Sequence, residues 1–370
     1  MLIEHEDFLL EIETPKKYVD NEIRNRSGHM THAMAEFAPN CFIDFNSNCS
    51  AERFWGHNAF GWVEYRISRD GGKNFSKVFD LPISKEIFYD GIYTISVEKA
   101  VACKNGDIVA FCLRNDQSDQ ACFEPWATPL VVISCDEGKS WSVPYEFTSF
   151  AGRVYDAVYR DGVIYVLIFC NEHFLGEKEE DKYRIYRSCD NGRTFEELSV
   201  IPFDTLGRAY GTLLFDDESN LHAYVYNSKN ELEIDHAISF NCGKDWELLK
   251  SCYVAEGARN PQTAIMDGVF ILHARTADKK GLVIYTSKDG CVWDKGYRIV
   301  EKNSWVGAFY SNNIILKDER GSYLLVQYSD TYIEHDEKVD DFAEGWGKVN
   351  VMHLKIRIHK KQKILKKGEY

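Results

Sequence analysis

An eight-residue stretch, SCDEGKSW from Ser134, returns in close variants as SRDGGKNF at Ser68, SCDNGRTF at Ser188 and SFNCGKDW at Ser239. With average residue usage, the pattern of Ser, Asp or Asn two later, Gly two later again and an aromatic three further on arises by chance at only about one position in 20,000. Four copies mean a repeat, and a repeat confines the chain to architectures assembled from equivalent units. A fifth copy, SKDGCVW from Ser287, keeps Ser287, Asp289 and Trp293 and is one residue shorter.

Each part of the octapeptide suits a tight turn between two strands. The Asp or Asn accepts bonds from backbone N–H groups further along, the Gly takes the positive φ that other residues resist, and the Ser adds a second local bond. The aromatic (Phe75, Trp141, Phe195, Trp246, Trp293) anchors the turn to its own sheet. These copies are expected to be scaffold, not chemistry.

The intervals between successive serines are 66, 54, 51 and 48 residues, room for four short strands each. A β-rich run precedes every turn: GWVEYRIS, PLVVIS, KYRIYRS, IDHAIS and LVIYTS. Another lies upstream (CFIDFN, DIVAFCL, VIYVLIF, LHAYVY, VFILHA), and ahead of that a third (YDAVY, YGTLLF, QTAIM). After the last turn AFYSNNIIL, SYLLVQYS and VNVMHLKIRI supply three strands. FLLEIET, near the N-terminus, supplies the fourth and is expected to close the ring, which removes exposed edges. The expected fold is all-β, a six-bladed β-propeller of four-stranded antiparallel blades, with residues 1–358 as one domain and 359–370 as a basic tail.

This pattern, S-x-D-x-G-x-x-W/F on six four-stranded blades, resembles the Asp-box propeller of the sialidase (neuraminidase) superfamily. The resemblance spans nearly the whole chain and implies a carbohydrate-active enzyme, a glycoside hydrolase.

Bulk properties narrow the partners. A formal net charge of −14 speaks against nucleic acid, which calls for a basic face. The opening MLIEHEDFLLEIET has neither a basic start nor an unbroken apolar run, so neither signal peptide nor membrane anchor is expected and the cytoplasm is the expected location. Eleven cysteines without a C-x-x-C pair fit buried thiols in a reducing compartment. No cofactor and no metal are expected.

In a propeller the starts of the innermost strands converge on one axial mouth. Those starts carry His29 and His32, Arg153, Tyr155 and Asp156, Arg208 and Tyr210, Arg259, Asn260 and Gln262, and Tyr310; the ends of the second strands add Arg114, Asn171, Glu172 and Arg275. Arginines at Arg153, Arg208 and Arg259 can clamp a carboxylate through paired hydrogen bonds. His32, three residues from His29, is suited to proton transfer near neutral pH.

The resemblance implies more specific roles. Sialidases bind the substrate carboxylate with three arginines and use a tyrosine nucleophile with a glutamate partner and an aspartate acid/base. AFYSNN matches the Tyr-Ser strand that carries the nucleophile, which gives the role to Tyr310. The aspartate position falls near Asn46, with Asp44 on the opposite side of the strand by alternation, and the glutamate position near GRAYG holds no glutamate, which leaves Glu172, Glu256 or Asp156 as partners for Tyr310. Arg153, Arg208, Arg259 and Arg275, with His29, Tyr210 and Gln262, are the expected substrate-binding set, for an acidic sugar or oligosaccharide. Two alternatives stand beside this hydrolase: a lyase acting on uronic acids through His or Tyr, and a non-catalytic glycan binder with Trp55, Phe174 and Trp346 in its pocket.

Overall fold

Strand-forming runs joined by self-bonded turns form six antiparallel sheets in the computed structural model. It describes residues 1–29, 31–55, 58–117, 127–170, 180–302, 308–332 and 348–361, except for the side chains of 52–55 and 58–59. In blade one two short segments, Arg26–Ser27 and Met34–Ala38, share the inner position against Cys41–Trp55, followed by Asn58–Ser68 and Phe79–Asp80. Blade two runs Tyr93–Ala102, Ile108–Asp116, Leu130–Ser134 and Tyr145–Glu146. Blade three runs Arg153–Arg160, Val163–Phe169, Tyr183–Ser188 and Glu196–Ile201; blade four runs Arg208–Phe215, Leu221–Asn227, Glu233–Ser239 and Glu247–Leu248. Blade five runs Arg259–Met266, Val269–Arg275, Gly281–Ser287 and Tyr297–Glu301.

Blade six takes its first three strands, Ser311–Asp318, Gly321–Thr331 and Val349–Lys360, from the end of the chain and its fourth, Phe8–Ile12, from the beginning. Leu10 faces Ile358 across that junction. Among the described residues the one α-helix, Pro82–Asp90, fills the connection from blade one to blade two. It starts with Pro82 and ends at Gly91, whose φ of 79° only glycine adopts freely. No helix among the described residues is long and apolar enough to cross a membrane.

Each blade is covered on both faces by its neighbours, so the second strands read as unbroken apolar runs such as VIYVLIF. Among the described residues an apolar core lies at each contact between consecutive blades. One joins Ala264, Met266 and Ile271 of blade five to Leu324 and Val326 of blade six; another joins Met34 and Phe42 of blade one to Leu316 and Leu325 of blade six.

The octapeptides hold these contacts at one end of the ring. In the copy from Ser134 the Gly138 N–H donates to Ser134 Oγ at 2.8 Å and the Ser140 N–H to Asp136 Oδ1 at 2.8 Å. The copies at Ser68, Ser188 and Ser239 repeat both bonds, with Asn241 in the acid's place in the last. The short copy at Ser287 makes them one residue earlier. Each turn still has a glycine carbonyl to offer, and the blade before it supplies the donor. Tyr65 Oη donates to Gly138 O at 2.6 Å, Ser199 Oγ to Gly243 O at 2.5 Å, Tyr224 Oη to Gly290 O at 2.9 Å and Tyr323 Oη to Gly71 O at 2.7 Å; Tyr145 does the same for Gly192.

On the axis the blades meet through one buried ammonium. Lys99 Nζ, from the inner strand of blade two, lies 2.8 Å from Asp156 Oδ1 of blade three, 3.0 Å from Gln262 Oε1 of blade five and 2.7 Å from Asn312 Oδ1 of blade six. Asp156 Oδ2 accepts the Thr212 hydroxyl and the Leu213 N–H of blade four, both at 2.8 Å.

Two predictions follow from this frame. The Ser140 hydroxyl and N–H hold Asp136 well below its usual 3.8, at about 2, and Asp70, Asp190 and Asp289 are lowered as well. A carboxyl group with a lower pKa in the folded state gives stability that is complete above about pH 4 and is lost as pH falls toward 2. Asp136→Asn, which copies the turn at Asn241, is expected to flatten that acid limb in denaturant titrations between pH 4 and 2. Lys99→Met leaves the Asp156 carboxylate buried without its counter-charge and should cost about 3–5 kcal/mol in the unfolding free energy. The double variant Lys99→Met/Asp156→Asn should recover part of that loss in the same measurement.

Candidate functional site

The inner strands of blades three, four and five all break register at the same place, one or two residues after they begin. Pairing skips Tyr155 between Val154 and Asp156, Tyr210 between Ala209 and Gly211, and Asn260 and Pro261 between Arg259 and Gln262. A bulge re-aims the extra residue. The skipped residues line one cavity of about 60 Å³ on the axis, together with His32, Glu98, Arg153, Gln262 and Tyr310. Tyr210 and Asn260 have φ of 53° and 50°, and Phe309, just before Tyr310, has 70°. Left-handed backbone at three non-glycine residues around one opening costs on the order of 1 kcal/mol or more each, and such strain gathers at functional sites.

The predicted residues divide into three groups. Tyr310, His32, Arg153, Tyr210 and Gln262 line the cavity. Arg153 Nε lies 2.5 Å from Glu98 Oε2, and its guanidinium sits 5.7 Å and 6.0 Å from the ring centres of Tyr155 and Tyr210. His29 meets the Tyr310 ring edge-on, with centres 4.7 Å apart, and its carbonyl accepts from His32 Nε2 at 2.9 Å. Burial lowers the His32 imidazole to about 4, so the ring is neutral at pH 7.

Arg259 and Arg275 form the second group. They face each other across the first two strands of blade five. Arg259 donates to the Tyr226 hydroxyl and the Glu231 carboxylate, and the Arg275 guanidinium lies 5.6 Å from the centre of the Tyr310 ring. Burial, and the charge of Arg259 beside it, lower Arg275 from the usual guanidinium value. Lys279, nearby, is lowered to about 8 by burial and by the same two arginines. Neither arginine lines the cavity, and Arg275 is buried behind the Tyr310 ring.

The remaining residues stand elsewhere. Arg208 does not join the other arginines: its Nε is 2.5 Å from Asp235 Oδ2 within blade four, and Asp235 also accepts from Ser251 Oγ at 3.0 Å. Asp156 is spent on Lys99, Thr212 and Leu213 below the cavity. Arg114 pairs with Glu146, and Glu256 with Arg298. Asp44 bonds His353 and Gln327, Asn46 accepts from Arg66, and neither lines the cavity. Asn171, Glu172, Phe174, Trp346 and the Trp55 side chain lie outside the described residues.

Glu98 and Lys99, adjacent on the inner strand of blade two, escape the motif-based reading. Their signal is a charged pair inside an otherwise apolar strand, YTISVEKAVA, where burial of either residue demands a partner. A wider cleft, about 590 Å³, lies at the opposite end of blades one and six, between the first octapeptide turn and the hairpin after Lys317. Its lining mixes Arg69, Lys73 and Lys355 with Glu36, Asp70 and Glu319 and gathers no single charge. Among the described residues no three His, Cys, Asp or Glu side chains are grouped so as to hold a metal ion.

No family model matches the sequence, and no curated protein matches it. Solved structures do match. A protein of unknown function from Dyadobacter fermentans superposes with a TM-score of 0.67 at 12% identity, over 94% of this chain and 99% of that one. The Hadza microbial sialidase Hz136 gives 0.66 at 13% identity, over 94% of this chain and 68% of its own. The phage phi92 endosialidase gives 0.62 at 9% identity, over 98% and 71%. At such identity the likeness is one of fold. The chain shares the six-bladed β-propeller fold of these sialidase structures.

Proposed function

We propose that the protein is a sialidase-like glycoside hydrolase, exo-acting on a sugar that carries a carboxylate. The observation that carries this reading is the placing of Tyr310 on the cavity with Arg275, and Arg259 paired to it across blade five, beside its ring. Guanidinium groups there hold the substrate carboxylate. A neutral phenol can then approach the anomeric carbon without the repulsion that a carboxylate nucleophile meets beside an anionic sugar. Tyr310 Oη bonds to the anomeric carbon as the glycosidic C–O bond breaks, and a carboxyl group passes the phenol proton to the leaving oxygen; water then bonds to the anomeric carbon as the Tyr310 bond breaks, and one of its protons returns to the phenolate. Glu98, which lines the cavity and is paired there with Arg153, is the carboxyl group we assign to proton transfer, because Asp156 does not line the cavity. The shared fold with sialidases supports a sugar substrate.

The neutral imidazole of His32 favours a second reading, a lyase in which His32 removes the proton beside a uronate carboxylate and the arginines neutralise the enolate.

Aglycone release from 4-methylumbelliferyl glycosides of N-acetylneuraminic acid and glucuronic acid tests the proposal. Turnover of one of them is expected. Tyr310→Phe should lower kcat by about 100-fold or more, and Arg275→Ala should raise KM about 10- to 100-fold, the worth of a charge-assisted hydrogen bond. Arg208→Ala should lower the melting temperature and leave KM near the wild-type value. Ultraviolet absorbance of an unsaturated uronate, with oligouronates as substrate and no aglycone release, would replace the hydrolase with the lyase. Binding of acidic glycans without turnover of any substrate would leave a glycan-binding propeller.

A further inference from the structure

Behind the fifth octapeptide, where blade four packs on blade five, a carboxylate, two imidazoles and two thiols form one chain of contacts. His222 Nε2 lies 3.3 Å from Asp216 Oδ2, and His222 Nδ1 lies 2.9 Å from His236 Nε2. His236 Nδ1 then lies 3.7 Å from Cys252 Sγ and 3.8 Å from Cys291 Sγ. None of these side chains lines the axial cavity.

The direction of bonding along the chain is fixed. Burial lowers both imidazoles, His236 to about 3, so the rings are neutral at pH 7. A carboxylate only accepts, so His222 Nε2 carries its ring's proton and His222 Nδ1 presents a lone pair. His236 must donate to that lone pair through Nε2, which leaves its own Nδ1 lone pair facing the two sulfurs. One acceptor thereby gathers thiols from two blades: Cys252 from the short edge strand Cys252–Tyr253 of blade four, and Cys291 from the turn of blade five. Cys252 Sγ is also 3.8 Å from the carbonyl of Gly290, the residue before Cys291.

The two thiols differ in access, since Cys252 is buried and Cys291 exposed. Cys291 also departs from the repeat. After the turn glycine the full-length copies carry a cation, Lys73, Lys139, Arg193 or Lys244, and the short copy carries Cys291. The turn has no need of sulfur there, because it uses only the Cys291 N–H, which donates to Asp289 Oδ1 at 2.8 Å.

We infer that Cys291 and Cys252 are a redox pair, which a low-molecular-weight disulfide such as oxidised glutathione converts to a bond between blades four and five. Burial raises both thiols, Cys252 to about 12, so the exposed Cys291 is the point of entry. Cys291 releases its proton to solvent and attacks one sulfur of the reagent; the reagent's S–S bond breaks, and the departing thiolate takes up a proton. Cys252 then releases its proton and attacks the Cys291 sulfur, and the second half of the reagent leaves and is protonated in turn. Two protein thiols are oxidised and one disulfide is reduced to two thiols. The bond closes the outer edge of blade four onto the turn of blade five and is independent of the reaction proposed at the mouth.

Equilibration of the full chain in glutathione buffers of rising disulfide content, alkylation of the remaining thiols with iodoacetamide and mass spectrometry of the peptides test this. A peptide pair linked through Cys252 and Cys291 is expected, at a ratio of oxidised to reduced glutathione about tenfold or more below the one that places glutathione on the exposed Cys135, Cys189 and Cys242. Cys252→Ser should stop at a glutathione adduct on Cys291. Cys291→Ser, an exposed change that leaves the cores intact, should keep Cys252 a thiol at every ratio. Absence of the linked pair at ratios that already modify Cys135, Cys189 and Cys242, linkage of Cys252 or Cys291 to a different cysteine, or a glutathione adduct on Cys252 in Cys291→Ser would each overturn the redox pair.

Discussion

The ring depends on a carbonyl that its own turn does not use. Inside each octapeptide the Ser and Asp side chains satisfy the backbone N–H groups, and a glycine at positive φ turns its C=O outward. The preceding blade meets that oxygen with a hydroxyl, at Gly71, Gly138, Gly192, Gly243 and Gly290. A bond of this kind contributes only about 1 kcal/mol. It is directional, however, and fixes the angle between blades that apolar cores, which have no preferred direction, leave loose. The repeat is thus a device for setting blade against blade, which accounts for its presence in five blades and explains why none of its copies reaches the mouth.

The two ends of the propeller have different physics. At the turn end the Ser and Asp or Asn side chains match the backbone N–H groups locally, and in blades two to four Glu137, Asn191 and Cys242 stand in left-handed backbone just before the glycine. At the mouth the inner strands are bulged, Tyr210, Asn260 and Phe309 stand in left-handed backbone, and guanidinium groups face one another. Between the two, Lys99 ties blades two, three, five and six at one point and leaves little freedom for the mouth to relax. The strained end is tolerated because the other end and the axis over-determine the ring.

This contrast explains what could be read in the sequence. Turns and second strands are local, and Ser134 through Trp141 or Val163 through Phe169 declare themselves by composition and spacing. Tyr310 is recoverable because Tyr-Ser is a local motif. Arg208 misleads, because the glycine before it, Gly207, matches Gly152 before Arg153, whereas its fate is decided by Asp235 on the third strand of the same blade. Asp156 misleads for a related reason: its partner is Lys99, in another blade and 57 positions earlier. Glu98 was hidden by the same distance, since only its burial beside Arg153 gives it a role.

Alternation along a strand, the usual guide to which side chains share a face, fails at this mouth for a specific reason. A single bulge shifts all later residues by one and turns the skipped residue toward the axis. In blades three and four, period-two counting cannot distinguish Tyr155 from Asp156 or Tyr210 from Gly211 as the residue that faces a ligand, yet the register gives the cavity to both tyrosines and sends Asp156 to the axial ion pair. The same shift occurs in three consecutive blades, so it keeps the mouth symmetric while the residues it delivers differ: two aromatic rings and an amide. Chemical divergence on this fold can therefore proceed by substitution at the bulged positions alone, with Lys99, the cores and the turns unchanged. Likeness of backbone to solved sialidases at 9–13% identity is what such a division of labour produces.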